Sequence, residues 1–182
     1  MPTIFSHAFF ATVSGRAFLK KPVSYGFWCL TAVCAMIPDA DVIGSVFGVE
    51  RGTMFSHRGF THSIVFAILF GALSASIAHR FLRPGLSFAR LCIFFALATF
   101  SHPLLDMLTN GGSGVALFAP FSNERFFFPW RPVEVSPIGL RFFGERGISV
   151  ILSEFLWIWL LALILLLAAR GARKARESLE KK

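Results

Sequence analysis

Five apolar runs, separated by short basic or polar segments, constrain this chain more than any other feature of its sequence. The runs cover residues 4–19, 23–37, 63–79, 88–105 and 153–169. A membrane-spanning helix needs about 17–25 predominantly apolar residues, so each run is close to the minimum length of a span. With 55% hydrophobic and only 15% charged residues, the chain is too apolar for an ordinary soluble domain. The sequence therefore predicts an all-α, polytopic membrane helix bundle with four to five membrane helices.

The segment between the fourth and fifth runs has a different composition. Residues 109–150 are rich in Gly, Pro, Phe and Arg, which predicts an ordered loop region with short elements. A length of 182 residues allows one domain, so we expect an integral-membrane domain over residues 1–170 and a basic tail over residues 171–182. The three cysteines lie in apolar runs without CxxC spacing, which argues against disulfides and against a thiolate zinc site.

Basic residues are concentrated on one side of a bundle of five spans. They form three groups: Arg16 with Lys20 and Lys21, the arginines of the loop 80–90, and the tail from Arg170 onward. Because cytoplasmic loops carry an excess of Lys and Arg, this side of the bundle is predicted to be cytoplasmic. Juxtamembrane placement also accounts for the net charge of +8 without a nucleic-acid partner.

The aspartates and most of the histidines fall on the opposite, extracytoplasmic face. Ionisable side chains near hydrocarbon are costly unless they are paired, solvated or coordinated, so their convergence from five segments requires a common partner. The one histidine at the other end is His79, for which a cap or interfacial role is the ordinary interpretation. The candidates on the extracytoplasmic face are His7, Asp39, Asp41, His57, His62, His102, Asp106 and Glu154.

A divalent cation is the simplest common partner for these groups. Imidazole and carboxylate ligands suit zinc, manganese or iron; we expect zinc first and manganese as the alternative. His102 and Asp106 are four residues apart and therefore share one face of a helix. His57 and His62 are five apart, so we expect His57 in a loop and His62 in the first turn of the next helix. Eight candidates exceed the four ligands of one tetrahedral ion, which predicts two or three ions.

Four motifs follow an early His7 in a fixed order: PDADVIG, HRGFTHS, SHPLLDMLTNGG and APFSNERF. Over roughly residues 5 to 160 they resemble the YdjM-like family of bacterial inner-membrane proteins, which are regarded as metal-dependent hydrolases. That family is in turn similar to the zinc phospholipase C and P1 nuclease superfamily of helical phosphodiesterases. Carried over by position, the resemblance marks as metal ligands His7, Asp39, His57, His62, His102 and Asp106, with Asp41 and Glu154 as further candidates.

These observations predict a membrane-bound, metal-dependent hydrolase that cleaves a phosphoester or phospholipid-like substrate at the extracytoplasmic surface, with membrane lipid as its partner. A bound metal would activate water, and Asp39 or Asp41 would orient or deprotonate it. Arg58 and Arg125 would grip phosphoryl oxygens or a lipid headgroup, unless they are interfacial anchors or form loop salt bridges. The alternatives are a non-catalytic metal-binding membrane protein and a regulatory interaction module. Transport is disfavoured because the polar groups gather at one edge of the bilayer.

Overall fold

The computed structural model describes residues 1–19, 23–137 and 142–180, and the predicted basic turn at Lys20, Lys21 and Pro22 lies outside them. The described residues form helices and two isolated β-bridges, with no strand, which confirms the all-α prediction. The α-helices are α1 (Ile4–Phe18), α2 (Tyr25–Met36), α3 (Val42–Val46), α4 (Ile64–Ile77), α5 (Phe88–Met107), α6 (Glu145–Glu154) and α7 (Leu160–Leu179).

Four helical stretches are long and apolar enough to cross a membrane. They are Tyr25–Val46, Ile64–Leu82, Phe88–Met107 and Glu145–Leu179, among the described residues. Helix α1 has 15 residues and packs against α2 and α7. Four candidate spans with α1 beside them agree with the predicted bundle of four to five membrane helices.

The last helix is longer than the apolar run at 153–169 indicated. It extends over Glu145–Leu179, with a π-helical segment at Phe155–Trp159 between α6 and α7. The predicted loop region therefore ends before residue 145, and the charged segment after Arg170 is helical up to residue 179. Alanine, arginine, lysine and glutamate all favour helix, so this segment continues the helix although it has left the apolar run.

Small residues bring α4 and α5 close together. Ala67, Gly71 and Ala75 recur every four residues on one buried face of α4, the spacing that lets membrane helices approach closely. A Cβ atom at Gly71 would lie 2.5 Å from the backbone nitrogen of Ala96. This contact fixes α5 against α4 and so sets the position of the polar residues at the end of α5.

Several helix termini meet at one end of the bundle. The start of α1, the 3-10 turn Ile37–Asp41 after α2, the turn Phe60–His62 before α4 and the end of α5 all lie there. The loop that follows α5 covers this end of the bundle and is held there by backbone hydrogen bonds. The Ala116 N–H donates to the Arg58 carbonyl at 2.9 Å, and the Phe128 N–H donates to that of Met107 at 3.0 Å. All the buried ionisable groups discussed below belong to this end.

The α4–α5 contact gives the first prediction. Gly71→Ala should lower the melting temperature of the detergent-solubilised protein, because over-packing costs about 1–3 kcal/mol and the better helix propensity of alanine returns only about 0.5–1 kcal/mol. Gly171→Ala is the matched control, since a Cβ atom there meets nothing within 4 Å. Equal melting temperatures for the two variants would show that the close approach is not required.

Candidate metal centre

The candidate ligands lie at helix ends and in the turns that join them. Asp39 and Asp41 belong to the 3-10 turn that begins with Ile37 and Pro38 and continues α2. His102 and Asp106 lie one turn apart near the end of α5, as their spacing predicted. His57 lies in a loop, as expected.

His62 differs slightly from expectation. It lies in the 3-10 turn Phe60–His62, just before α4 and not in its first turn. The reason is that Ser63 is the N-cap of α4, and its hydroxyl accepts a hydrogen bond from the Phe66 N–H at 3.0 Å. The helix therefore begins after both histidines. The position of the His62 imidazole is set by the turn and not by the spacing of residues on α4.

A tight turn holds the two histidines of HRGFTHS in place. Arg58 has φ 66°, in the left-handed region that few residues other than glycine adopt. At Gly59, a Cβ atom would lie 2.0 Å from the carbonyl oxygen of Met54, so no other residue fits without movement of the backbone. The turn aims the Arg58 N–H at Asp41 Oδ2, 3.1 Å away. The loop and the PDAD turn are thereby joined.

Four buried side chains converge on one point. Each of Asp39, His62, His102 and Asp106 offers one ligand atom, and these atoms lie within 4.8 Å of one another. His102 Nε2 is 3.1 Å from His62 Nε2 and 3.4 Å from Asp39 Oδ1, while His62 Nε2 is 3.5 Å from Asp106 Oδ2. A tetrahedral zinc ion with bonds of about 2.0–2.1 Å separates its ligand atoms by roughly 3.3 Å. The spacing of the four groups thus fits a small cation.

The histidine tautomers also suit a cation. His102 Nδ1 lies 2.7 Å from the carbonyl oxygen of Ala35, an acceptor that fixes the proton on Nδ1. Its Nε2 lone pair then faces His62 Nε2. Histidine ligands of metals usually have their second nitrogen held in this way.

The carboxylates of this group lack hydrogen-bond partners. Both oxygens of Asp39 and both oxygens of Asp106 are buried without one, as are both nitrogens of His7. Buried polar groups are almost always hydrogen-bonded, and an unpaired buried charge is costly. Asp106 has an ion pair with Arg58, whose Nε lies 2.8 Å from Oδ2 without the alignment of a hydrogen bond. These atoms belong to a buried group of His and Asp side chains that could hold a metal ion.

The charge count agrees with this conclusion. Asp39, Asp41 and Asp106 are three carboxylates, and Arg58 is the one guanidinium in contact with them among the described residues, so two negative charges remain when the imidazoles are neutral. Burial alone lowers the pKa of His62, but the nearby carboxylates of Asp106, Asp39 and Asp41 outweigh it and hold this pKa well above its ordinary value. The cluster thus attracts positive charge, which a proton on His62 or a metal ion could supply.

Asp41 has a different environment from Asp39. It forms a second group with His57 and His62, also spaced for a metal ion. However, it already accepts hydrogen bonds from the Thr61 hydroxyl at 2.6 Å and the Arg58 N–H at 3.1 Å. His57 Nδ1 lies 2.7 Å from Oδ1, and His62 Nδ1 lies 3.2 Å from Oδ2. The Asp41 carboxylate is therefore satisfied by the protein.

His7 borders the four-residue group. Its ring stacks on that of His102 with centroids 3.6 Å apart, and its Nε2 lies 3.6 Å from Asp106 Oδ1. Glu154 lies apart from both groups. Its carboxylate accepts hydrogen bonds from the Thr3 N–H at 2.5 Å and the Ser6 hydroxyl at 2.6 Å, and so joins the last helix to the start of α1.

The two candidate phosphate-binding arginines are both engaged within the protein. Arg58 is 1% exposed and donates to Thr109 Oγ1 at 2.9 Å and to the Gly111 carbonyl at 3.1 Å. Arg125 is half-buried and donates to the Thr53 carbonyl and Ser56 Oγ. Burial and the repulsion of Arg58 lower the pKa of Arg125. The salt bridge raised as an alternative for these residues is observed for Arg58, which pairs with Asp106, whereas Arg125 forms hydrogen bonds and no salt bridge within the described residues.

Three groups around the site escaped the sequence analysis. Thr61 binds Asp41, Thr109 binds Arg58, and the Ala35 carbonyl orients His102. Both threonines lie inside the quoted motifs, HRGFTHS and SHPLLDMLTNGG, where their position beside candidate ligands was a usable signal. A backbone carbonyl carries no such signal, because every residue has one.

Comparison with known proteins identifies the family of the chain. The sequence matches the family described as YdjM inner membrane protein over residues 1–176. The chain belongs to the YdjM family of inner membrane proteins. This family member is 41% identical over 167 residues to "Inner membrane protein YbcI" of Escherichia coli (strain K12), a match that covers 91% of this chain and 95% of that protein. No solved structure matches it.

The buried arginine gives the second prediction. Arg58→Met should destabilise the chelator-treated protein by about 3–5 kcal/mol, because it leaves the Asp106 carboxylate buried without its ion pair. Arg51→Met removes an exposed arginine of the same loop and is the control. Thermal unfolding in detergent compares the two, and equal melting temperatures would mean that the ion pair contributes nothing.

Proposed function

We propose that this YdjM family member is a membrane-bound, metal-dependent hydrolase that acts on a phosphoester or phospholipid-like substrate at the membrane surface. The supporting observation is the buried group of carboxylates and imidazoles at one end of the bundle, in which the Asp39 and Asp106 carboxylates have no hydrogen-bond partner among the described residues. We assign the cation to Asp39, His62, His102 and Asp106, with zinc as first choice and manganese as the alternative.

The hydrogen bonds support different roles for the two aspartates of PDAD. Asp39 has no partner and is proposed as a ligand, whereas Asp41 is satisfied and is proposed as a positioning residue for His57 and His62. One ion then suffices for the four-residue group. The two or three ions predicted from the number of candidates require, in addition, the group of Asp41, His57 and His62, or a contribution from His7.

The reaction follows from the chemistry of such a site. When bound, a divalent cation supplies a Lewis acid and lowers the pKa of a coordinated water towards neutrality. The side chain of His57 is 25% exposed, against 5% or less for its neighbours Asp39 and His62. Its Nδ1 is held by Asp41, so its Nε2 is the atom proposed to hold or pass on a proton. Arg58 pairs with Asp106 and holds its carboxylate in place.

Membrane-surface chemistry is favoured by exposed aromatic side chains beside the site. Phe47 and Phe55 flank the loop that leads to His57, and Phe121 and Trp130 lie in the covering loop; all are exposed. Aromatic side chains of this kind concentrate where a membrane meets water. We propose that this end faces the extracytoplasmic side and that the tail from Arg170 is cytoplasmic, as the positive charges predict.

The third prediction concerns metal content. Protein purified in detergent and offered zinc should retain about one equivalent per chain by inductively coupled plasma mass spectrometry. His62→Ala and His102→Ala should each lose most of it, because each removes one of the four proposed ligands of the ion. Asp39→Asn should resemble these variants, whereas Asp41→Asn should bind zinc more weakly but measurably.

His79→Ala is the matched control, because it removes a histidine at the opposite end of the bundle. Two or three zinc equivalents per wild-type chain would confirm the prediction of a site with two or three ions. Folded wild-type protein that retains no metal would refute the assignment altogether.

The fourth prediction concerns activity. Zinc- or manganese-loaded protein should hydrolyse bis(p-nitrophenyl) phosphate or phosphatidylglycerol in mixed micelles, and His102→Ala and chelator should each abolish turnover. His79→Ala should keep it. Full metal occupancy without turnover on either substrate would favour the second candidate, a metal-stabilised membrane protein. Burial of all four members of the group, as in closed structural sites, is the observation that supports this candidate.

A further inference from the structure

A groove separate from the metal centre runs along the outside of the bundle. It has a volume of about 730 Å³, within the usual range of ligand pockets, and lies between α1, α5 and α7. Its lining extends along α5 from Arg90 to Ser101. With about 1.5 Å of rise per residue, this stretch is roughly 16 Å long, the scale of an extended acyl chain.

The wall of the groove is apolar and open to the surroundings of the spans. Ile93 and Leu97 line it and are more than half exposed, while Ala11 and Ala98 form its buried floor. Both α5 and the last helix are candidate spans, so the groove faces hydrocarbon in a membrane. Acyl chains are the material available to fill it there.

Two polar groups in the lining lack partners within the described residues. Ser14 is 8% exposed, and its hydroxyl has no hydrogen-bond partner. Arg90 is exposed, and the arginine ion pairs of the described chain are Arg58–Asp106 and Arg176–Glu180, which leave it uncompensated. An apolar groove with a hydroxyl that lacks a hydrogen-bond partner and a guanidinium that lacks an ion pair suits an amphiphile with an anionic headgroup.

The order of these groups along the groove matches a glycerophospholipid. A Cβ atom at Gly15 would lie 3.0 Å from the ring of Phe94, so Ser14 and Gly15 are level with the second turn of α5. Arg90 precedes Phe94 by four residues and therefore lies about one turn, or roughly 5 Å, closer to the basic end of the bundle. The charged group thus comes first, the hydroxyl next, and the apolar wall of Leu97 and Ala98 last.

We propose that this groove is a binding site for an anionic glycerophospholipid. The phosphate pairs with Arg90, an ester carbonyl oxygen accepts a hydrogen bond from Ser14, and one acyl chain lies along α5. The headgroup is then at the basic end of the bundle, opposite the metal centre. The site is therefore distinct from the proposed hydrolytic site and does not depend on it.

The test is lipid binding by the delipidated full chain in detergent, measured by native mass spectrometry with phosphatidylglycerol and phosphatidylcholine of identical acyl chains. Chelator is present throughout, so that a lipid held through a metal ion is not counted. We expect one tightly bound phosphatidylglycerol per chain and a preference of about fivefold over phosphatidylcholine, the effect of one arginine near a phosphate surface.

Three variants separate the contributions of the groove. Arg90→Gln should remove the preference, whereas Arg80→Gln, an exposed arginine at the same end but outside the groove, should keep it. Ser14→Ala should weaken both lipids alike, because both have the ester carbonyl. Leu97→Trp fills the groove from its exposed wall and should reduce binding of both without disturbing the core.

Two results would overturn the proposal. Equal binding of the two lipids by wild type, or a preference that survives in Arg90→Gln, would show that the groove does not recognise the phosphate. A dimer of the chain that dissociates in Leu97→Trp would assign the groove to a second copy instead. Neither result bears on metal content or turnover, so the proposed hydrolytic function is tested separately.

Discussion

The uncompensated negative charge at one end of the bundle is the constraint on which the rest of the structure depends. Asp39 and Asp106 have four buried oxygens without hydrogen bonds, and Arg58 offsets only part of their charge. A membrane helix bundle has no reason to collect such groups for stability, because buried charges without partners cost more than apolar side chains of similar size. A cation bound between these side chains would account for the arrangement.

The rest of the chain serves to bring these groups together and hold them. Gly71 allows α5 to approach α4, which places His102 and Asp106 beside the turn that carries His62. The left-handed backbone of Arg58 directs its N–H to Asp41, and its side chain reaches Asp106 and Thr109. One residue therefore joins the loop, the PDAD turn and the end of α5, which explains why an arginine stands between the two histidines of HRGFTHS.

The sequence predicted the helices and the convergence of the candidate ligands because both depend on simple patterns. Apolar runs predict membrane spans, and a spacing of four residues predicts that two side chains lie on the same face of a helix. The roles of Arg58 and Glu154 were beyond such patterns: a charged residue near a membrane surface looks the same whether it faces substrate or is buried against Asp106 or Ser6. The sequence analysis did not extend the last helix beyond Arg170, because the charged residues there end the apolar run. The same residues still favour helix, and α7 continues to Leu179.

Accessibility bears on the two functions proposed for the candidate metal centre. A structural site needs no open position, whereas a catalytic site must admit water and substrate. His62, His102 and Asp106 are fully buried, and His57 has the most exposed side chain of the histidines and aspartates in the two groups. His57 is also the group fixed by Asp41. Its partly exposed side chain is the part of the two groups most accessible to water, which is the property that the proposed catalytic function requires and a closed structural site does not.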